Sequence, residues 1–194
     1  AIAAVIGAAA GFGITFLAFY ITTGCTTDSS GLSNPIVKNS IDSICELLKP
    51  RRDSKVESVY IDEYYLSEKR EQWIYSDSIE KYCTKEEIIQ LAKEHKSRAI
   101  NYIAFTLWLK KDPHEAVSYL IEDINNNDTL CAIKLDEGLP ESLSSIRVNL
   151  VQRNRAKYNV SIEDSIRIDK AVLSAKNRKA IWYYYVLTGS QMDI

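Results

Sequence analysis

The chain is 194 residues long and sets 24 Lys and Arg against 26 Asp and Glu, a formal net charge of −2. That balance excludes a whole-molecule electrostatic binder of nucleic acid or of a membrane surface, and four cysteines with no CxxC pair exclude the usual structural zinc site. The charge is uneven, basic from Pro140 onward and acidic before it.

The chain opens on a run from Ala1 to Gly24 without a charged residue; the first charge is Asp28. A bilayer core needs roughly 20 apolar residues in a helix rising about 1.5 Å per residue, so residues 1–24 are expected to form a single membrane-spanning signal-anchor helix. Gly7 and Gly11 stand four apart on one face of it, the small-xxx-small spacing that lets membrane helices approach closely. The small residues of its first half and the bulky Phe16, Leu17, Phe19 and Tyr20 of its second suggest different neighbours along its length. Thr22-Thr23-Gly24-Cys25 and the polar stretch after it resemble the end of a bacterial lipoprotein signal and its tether. The resemblance implies that Cys25 is acylated and becomes the mature N-terminus. An uncleaved anchor instead keeps residues 1–24, and this is the expectation adopted. A fusion-peptide-like start would require a downstream heptad seam, and none is present.

Residues 25–35 read as a polar linker and 36–194 as a mainly helical soluble domain, all-α or mostly α, facing outside the cytoplasm. Asn34 and Pro35 supply an N-cap and a first-turn proline, and Ile36, Val37, Ile41, Ile44, Leu47 and Leu48 follow at helical spacing to a stop before Pro50. Residues 56–83 fit helix and strand almost equally, with helix preferred. Thr84 and Glu87 form a capping box that opens a helix running on to Leu109. Asp112-Pro113 opens the next, which ends at Asn125-Asn126-Asn127. The stretch AINYIAFTLWLKKDPHEAVSYLIEDI resembles one tetratricopeptide-like unit, and with no second copy it implies an antiparallel helix hairpin rather than a repeat array.

Thr129–Asp136 reads as a brief strand or extended loop, Pro140 as the start of a helix through Tyr158, Ser161 or Ile162 as the start of another, and Ser174 as the cap of the last. Trp182, Tyr183, Tyr184 and Tyr185 are consecutive and point around any helix they form, which makes them candidate interface residues. The segment LSAKNRKAIWYYYVLTGSQMDI resembles the last region of sigma-type or phage antitermination regulators, but no recognition helix follows its Thr-Gly-Ser turn, so no nucleic-acid partner is expected.

No catalytic, metal or cofactor site is expected. His95 and His114 lie in no HExxH or other ligand spacing and are read as solvent-facing, and there is neither a GxSxG elbow nor a glycine-rich phosphate loop. Asp62-Glu63 and Glu86-Glu87 are the carboxylates that an acid–base enzyme would need to bring together. Cys45, Cys83 and Cys131 are either one disulfide and a spare thiol or small buried residues. The reading that follows is a membrane-anchored, non-enzymatic domain with the lipid bilayer and another protein as partners. A structural subunit of a larger membrane complex is the alternative, and a membrane-bound carboxylate enzyme comes third.

Overall fold

The computed structural model describes Leu32 and residues 34–50, 55–135 and 137–181. The expected membrane helix with Gly7 and Gly11, Cys25 and the aromatic run Trp182 to Tyr185 lie outside the described residues. Among the described residues no helix is long and apolar enough to cross a membrane.

The described part is mainly helical, as expected, with a small sheet that the all-α alternative did not foresee. Helix α1 (Pro35–Leu47) begins where Asn34 Oδ1 accepts from Ile36 N at 2.9 Å and buries Val37, Ile41, Ile44 and Cys45. The next segment corrects the preference for helix over residues 56–83. It holds β1 (Ser58–Tyr60), a small hairpin of β2 (Tyr64–Tyr65) and β3 (Glu68–Lys69), and only then α2 (Glu71–Tyr82). The reason is tertiary: β1 pairs in parallel with a strand far along the chain, β4 (Thr129–Lys134), with Val59 opposite Ala132. β4 in turn pairs antiparallel with β5 (Glu137–Ser142), giving the order β1-β4-β5. On its other side β1 meets a side chain instead of a strand. The buried amide of Gln72 accepts from Tyr60 N at 2.9 Å and donates to Tyr60 O at 3.1 Å.

The expected capping box at Thr84 is present and opens α3 (Lys85–Glu94). The helix does not run through to Leu109, however, but breaks at His95 to Ser97 and restarts as α4 (Arg98–Lys111). Ser97 caps the restart, and Glu57 Oε2 accepts from both Ser97 Oγ and Ala99 N at 3.0 Å, so a carboxylate from another segment fixes the boundary. Every residue of α4 from Ala99 to Leu109 is buried. A helix apolar on all sides belongs in the middle of a core, and α4 is flanked there by α1, α3, the sheet and two later helices.

One of these is α5 (Pro113–Glu122), which Asp112 caps. It folds back along α4 so that Trp108 stacks on Tyr119 at 5.3 Å, the expected hairpin. Pro140 starts no helix; it lies in β5, an edge strand, where its missing N–H interrupts no inner ladder. Helix α6 (Leu143–Arg153) starts three residues later under a Ser142 cap. Asn154 interrupts it before the single turn α7 (Arg155–Tyr158), and Asn159 follows at φ 54°. Ser161 caps α8 (Ile162–Ser174), which contains Ser174 as its last residue rather than ending before it.

Two buried polar clusters join these helices. Arg147 of α6 is almost wholly buried, donates to Asp123 Oδ2 at 2.8 Å and to the carbonyls of Ala92 and Asn101 at 3.2 and 3.4 Å, and lies over the rings of Phe105 and Tyr119. Gln152 donates to Ser165 O and Asp169 Oδ1 while accepting from Ser165 Oγ, which fastens α6 to α8.

Candidate functional site

In a parallel pair, clefts form beyond the carboxyl ends of the strands, where the chain leaves the sheet. β1 and β4 build such an end. Ile61 N still donates to Ile133 O at 3.0 Å, and the chain then turns through Asp62 and Glu63 toward β2. Trp73 Nε1 holds the turn by donating to Asp62 O at 3.0 Å, and Arg70 closes it with its backbone N–H on Glu63 O. The Arg70 guanidinium bonds Asp62 Oδ2 at 3.0 Å and lies against the rings of Tyr60 and Tyr65 at 4.1 and 4.8 Å.

Two adjoining clefts of about 280 and 220 Å³ open at this end and share Ile61, Asp62, Leu150 and Asn154. Tyr102 and Ile146 complete the apolar floor of the first, with Lys134 and Arg153 at its rim. Trp73, Tyr158, Lys110 and Lys157 line the second. The charges here are largely paired: Lys157 meets Glu63 at 3.1 Å, Lys69 meets Asp77 at 2.6 Å, and Lys110 meets Glu80 at 2.9 Å.

Both hairpins leave the sheet from this same end and place leucines at their tips. Leu66 and Leu135 are 81% and 64% exposed, with φ of 49° and 48°, and Ser67 follows Leu66 at φ 72°. A left-handed backbone costs a residue with a side chain about 1–2 kcal/mol, and glycine or asparagine would hold such a turn with less strain. Tyr64 and Leu139 beside them are also exposed.

The expected carboxylate group does not assemble. Asp62 is held by Arg70 and Glu63 by Lys157, while Glu87 serves the capping box of α3; neither Glu86 nor Glu87 lines a cleft that Asp62 lines. Among the described residues no three His, Cys, Asp or Glu side chains are grouped to hold a metal.

The two histidines part company. His114 is solvent-facing as expected, with Nδ1 on Asp164 at 3.0 Å. Burial by itself would raise the Asp164 pKa, but His114, Ser161 and Arg167 together hold it below the usual carboxylate value. Arg167 also donates to Ser118 Oγ, so the cluster is a strut between α5 and α8. His95 is buried, against expectation. Its Nδ1 accepts from Ser97 N at 3.1 Å, and its Nε2 has no partner among the described residues. That placement follows from the break between α3 and α4, which turns the ring inward. Among the described residues Cys45, Cys83 and Cys131 form no disulfide, and burial pushes the Cys83 thiol up to about 11, which leaves it protonated and unreactive at neutral pH.

No protein-family model, no curated protein and no solved structure matches the chain.

Proposed function

We propose that the chain is a non-enzymatic protein-binding domain held at a membrane by residues 1–24, and that it grips its partner with the carboxyl end of the sheet. The observation that carries the docking face is the pair of exposed leucines in left-handed turns, Leu66 and Leu135, on hairpins leaving that end. Strained, solvent-exposed apolar residues have no part in the core, and such outliers gather at binding sites. The cleft between the carboxyl ends of β1 and β4 and helix α6, floored by Ile61, Ile146 and Leu150, would receive a partner side chain. The membrane part rests on the uncharged run from Ala1 to Gly24. Cys25 is the candidate for acylation if that run is removed, and the domain is placed outside the cytoplasm.

The test is a photo-reactive residue at Leu135 in the full chain, irradiated in native membranes. A discrete protein adduct that Leu66→Asp abolishes supports the reading, and a chain that yields no adduct at this face defeats it. The structural-subunit alternative rests on Gly7 and Gly11 and requires Gly7→Leu to dissociate a large complex in detergent. The enzymatic reading gains nothing from Asp62 and Glu63, which are committed to ion pairs.

A further inference from the structure

The joint between α3 and α4 is closed by side chains, and a histidine is buried in it. His95 is 7% exposed. Its Nδ1 accepts from Ser97 N at 3.1 Å, so the neutral ring carries its proton on Nε2, which has no partner among the described residues. Ser97 Oγ and Ala99 N, at the start of α4, both donate to Glu57 Oε2 at 3.0 Å, and Glu57 O accepts from Cys131 N of β4 at 2.8 Å. Glu57 therefore ties the joint to the sheet. On the other side Asn101 Nδ2 donates to Leu91 O at 2.9 Å and to His95 O at 3.0 Å.

We propose that this joint is an acid-sensitive latch, closed while His95 is neutral and opened, with the rest of the fold in place, when the ring takes a second proton. An imidazolium donates from both nitrogens. A proton on Nδ1 would face the Ser97 N–H, donor against donor, and the charge would be buried with neither nitrogen on an acceptor. Turning the ring out to water relieves both conflicts. Ser97 is two residues away and moves with it, so Glu57 loses its donors and the segment entering β1 is freed. Of the charges around the ring, Asp42 of α1 and Glu57 attract an imidazolium and Lys96 repels it. Arg98, at the start of α4, is paired with Asp128 at 2.9 Å. Neither Asp42 nor Glu57 bonds the ring where it stands, and Asp42 is exposed, so their pull rewards a ring that has turned outward. Burial holds the ring neutral at neutral pH. The rest of the fold stays because α4 is packed on all sides from Ala99 to Leu109. The latch stands whether or not the sheet end binds a partner.

Hydrogen exchange of the full chain in detergent, corrected for the intrinsic effect of pH on the rate, reads the latch at Ser97 and Ala99, whose N–H groups are held by the His95 and Glu57 side chains. Their protection should fall about tenfold between about pH 7.5 and 5, by no more than about tenfold per pH unit, the slope for one proton. It should also lie well below that of residues 103–109 and be indifferent to urea far under the midpoint, the mark of a local opening. His95→Asn keeps an acceptor near the position of Nδ1 but cannot take the proton, and it should hold the protection within about twofold across the same range. Protection that ignores pH in the parent, or that falls as far in His95→Asn, would overturn the proposal. So would latch amides that lose protection with urea in step with residues 103–109, since the joint would then open only when the whole domain unfolds.

Discussion

Leucine does opposite work at the two ends of this molecule. In α4 an unbroken buried stretch from Ala99 to Leu109 sets Leu107, Leu109 and their neighbours inside the core, where each large apolar side chain contributes about 1.5–3 kcal/mol relative to exposure. At the carboxyl end of the sheet Leu66 and Leu135 stand in solvent on strained backbone and contribute nothing of that kind. Substitutions around α4 should therefore unfold the protein, and substitutions at the hairpin tips should leave it folded but unable to bind.

The largest effect is expected at Arg147. Replacing it with Ala leaves the Asp123 carboxylate and the carbonyls of Ala92 and Asn101 short of a donor beside the core and removes the group lying over Phe105 and Tyr119. Asp123 is partly exposed and keeps its bonds from Asn126 and Tyr119, so the cost comes from the two core carbonyls and the emptied space around a large buried side chain, about 2–4 kcal/mol, readable as a shift of the urea midpoint. Because either single change already loses the Arg147–Asp123 contact, Arg147→Ala combined with Asp123→Ala should cost less than the two single changes added. Additive losses would show that the pair is not the source of the stability.

Gln72→Leu comes next, at about 2–4 kcal/mol, because it strips a partner from both Tyr60 N and Tyr60 O. It also bears on how far the division extends, since Gln72 stabilises the strand from which the docking end grows. A variant that keeps its stability would show that water replaces the amide at this edge.

Those two residues also mark where sequence reading stopped. Asn34-Pro35, Thr84 with Glu87, Asp112-Pro113 and Ser161 were legible because each helix start is satisfied within a few residues of itself. β1 was not, because what makes Ser58–Tyr60 a strand is β4 on one side and Gln72 on the other. The break at His95 to Ser97 was hidden for the same reason: the apolar spacing continues across it, and Glu57, from a distant segment, decides the boundary. Pro140 read as a helix start because position in a sheet is invisible locally. The docking end is built from β1, β4, α6 and two hairpins, so no motif could announce it, and Leu66 and Leu135 look ordinary until their backbone angles are known.

Gly138→Ala is expected to cost about 1–3 kcal/mol through overpacking, since the new Cβ would stand 2.8 Å from Cys131 Sγ. Adding Cys131→Ala should recover most of the loss. The position lies in β5, close to the Leu135 turn, so it also asks whether distortion of the sheet reaches the hairpin tip. Loss of partner capture at unchanged stability would mean that it does.

The pH dependence should come from the core side of the division. Burial holds the His95 pKa below its usual value, and although Glu57 and Asp42 pull it upward, Lys96 pushes it down. The folded state therefore favours neutral His95, and the unfolded chain binds the extra proton. Stability should fall as the pH drops through the unfolded value of about 6.5 and go on falling until the lower folded value is reached. Urea midpoints between pH 8 and 5 measure it, and His95→Gln should flatten that step. A step that survives the substitution would have to belong to another group.

The smallest effect on stability, and the one with the opposite sign, belongs to Leu66. Glycine at this position adopts φ 49° without steric strain, and the leucine side chain being removed is almost fully exposed. Leu66→Gly should therefore leave the urea midpoint unchanged or raise stability by up to about 1 kcal/mol, with the greater freedom of glycine in the unfolded chain offsetting part of the relief. Partner capture should fall in the same variant, because the apolar tip is what the partner would hold. The two readouts together isolate the cause. Lower stability would mean that Leu66 packs against something in the folded protein, whereas unchanged stability with unchanged capture would leave the strained leucine without a role in binding.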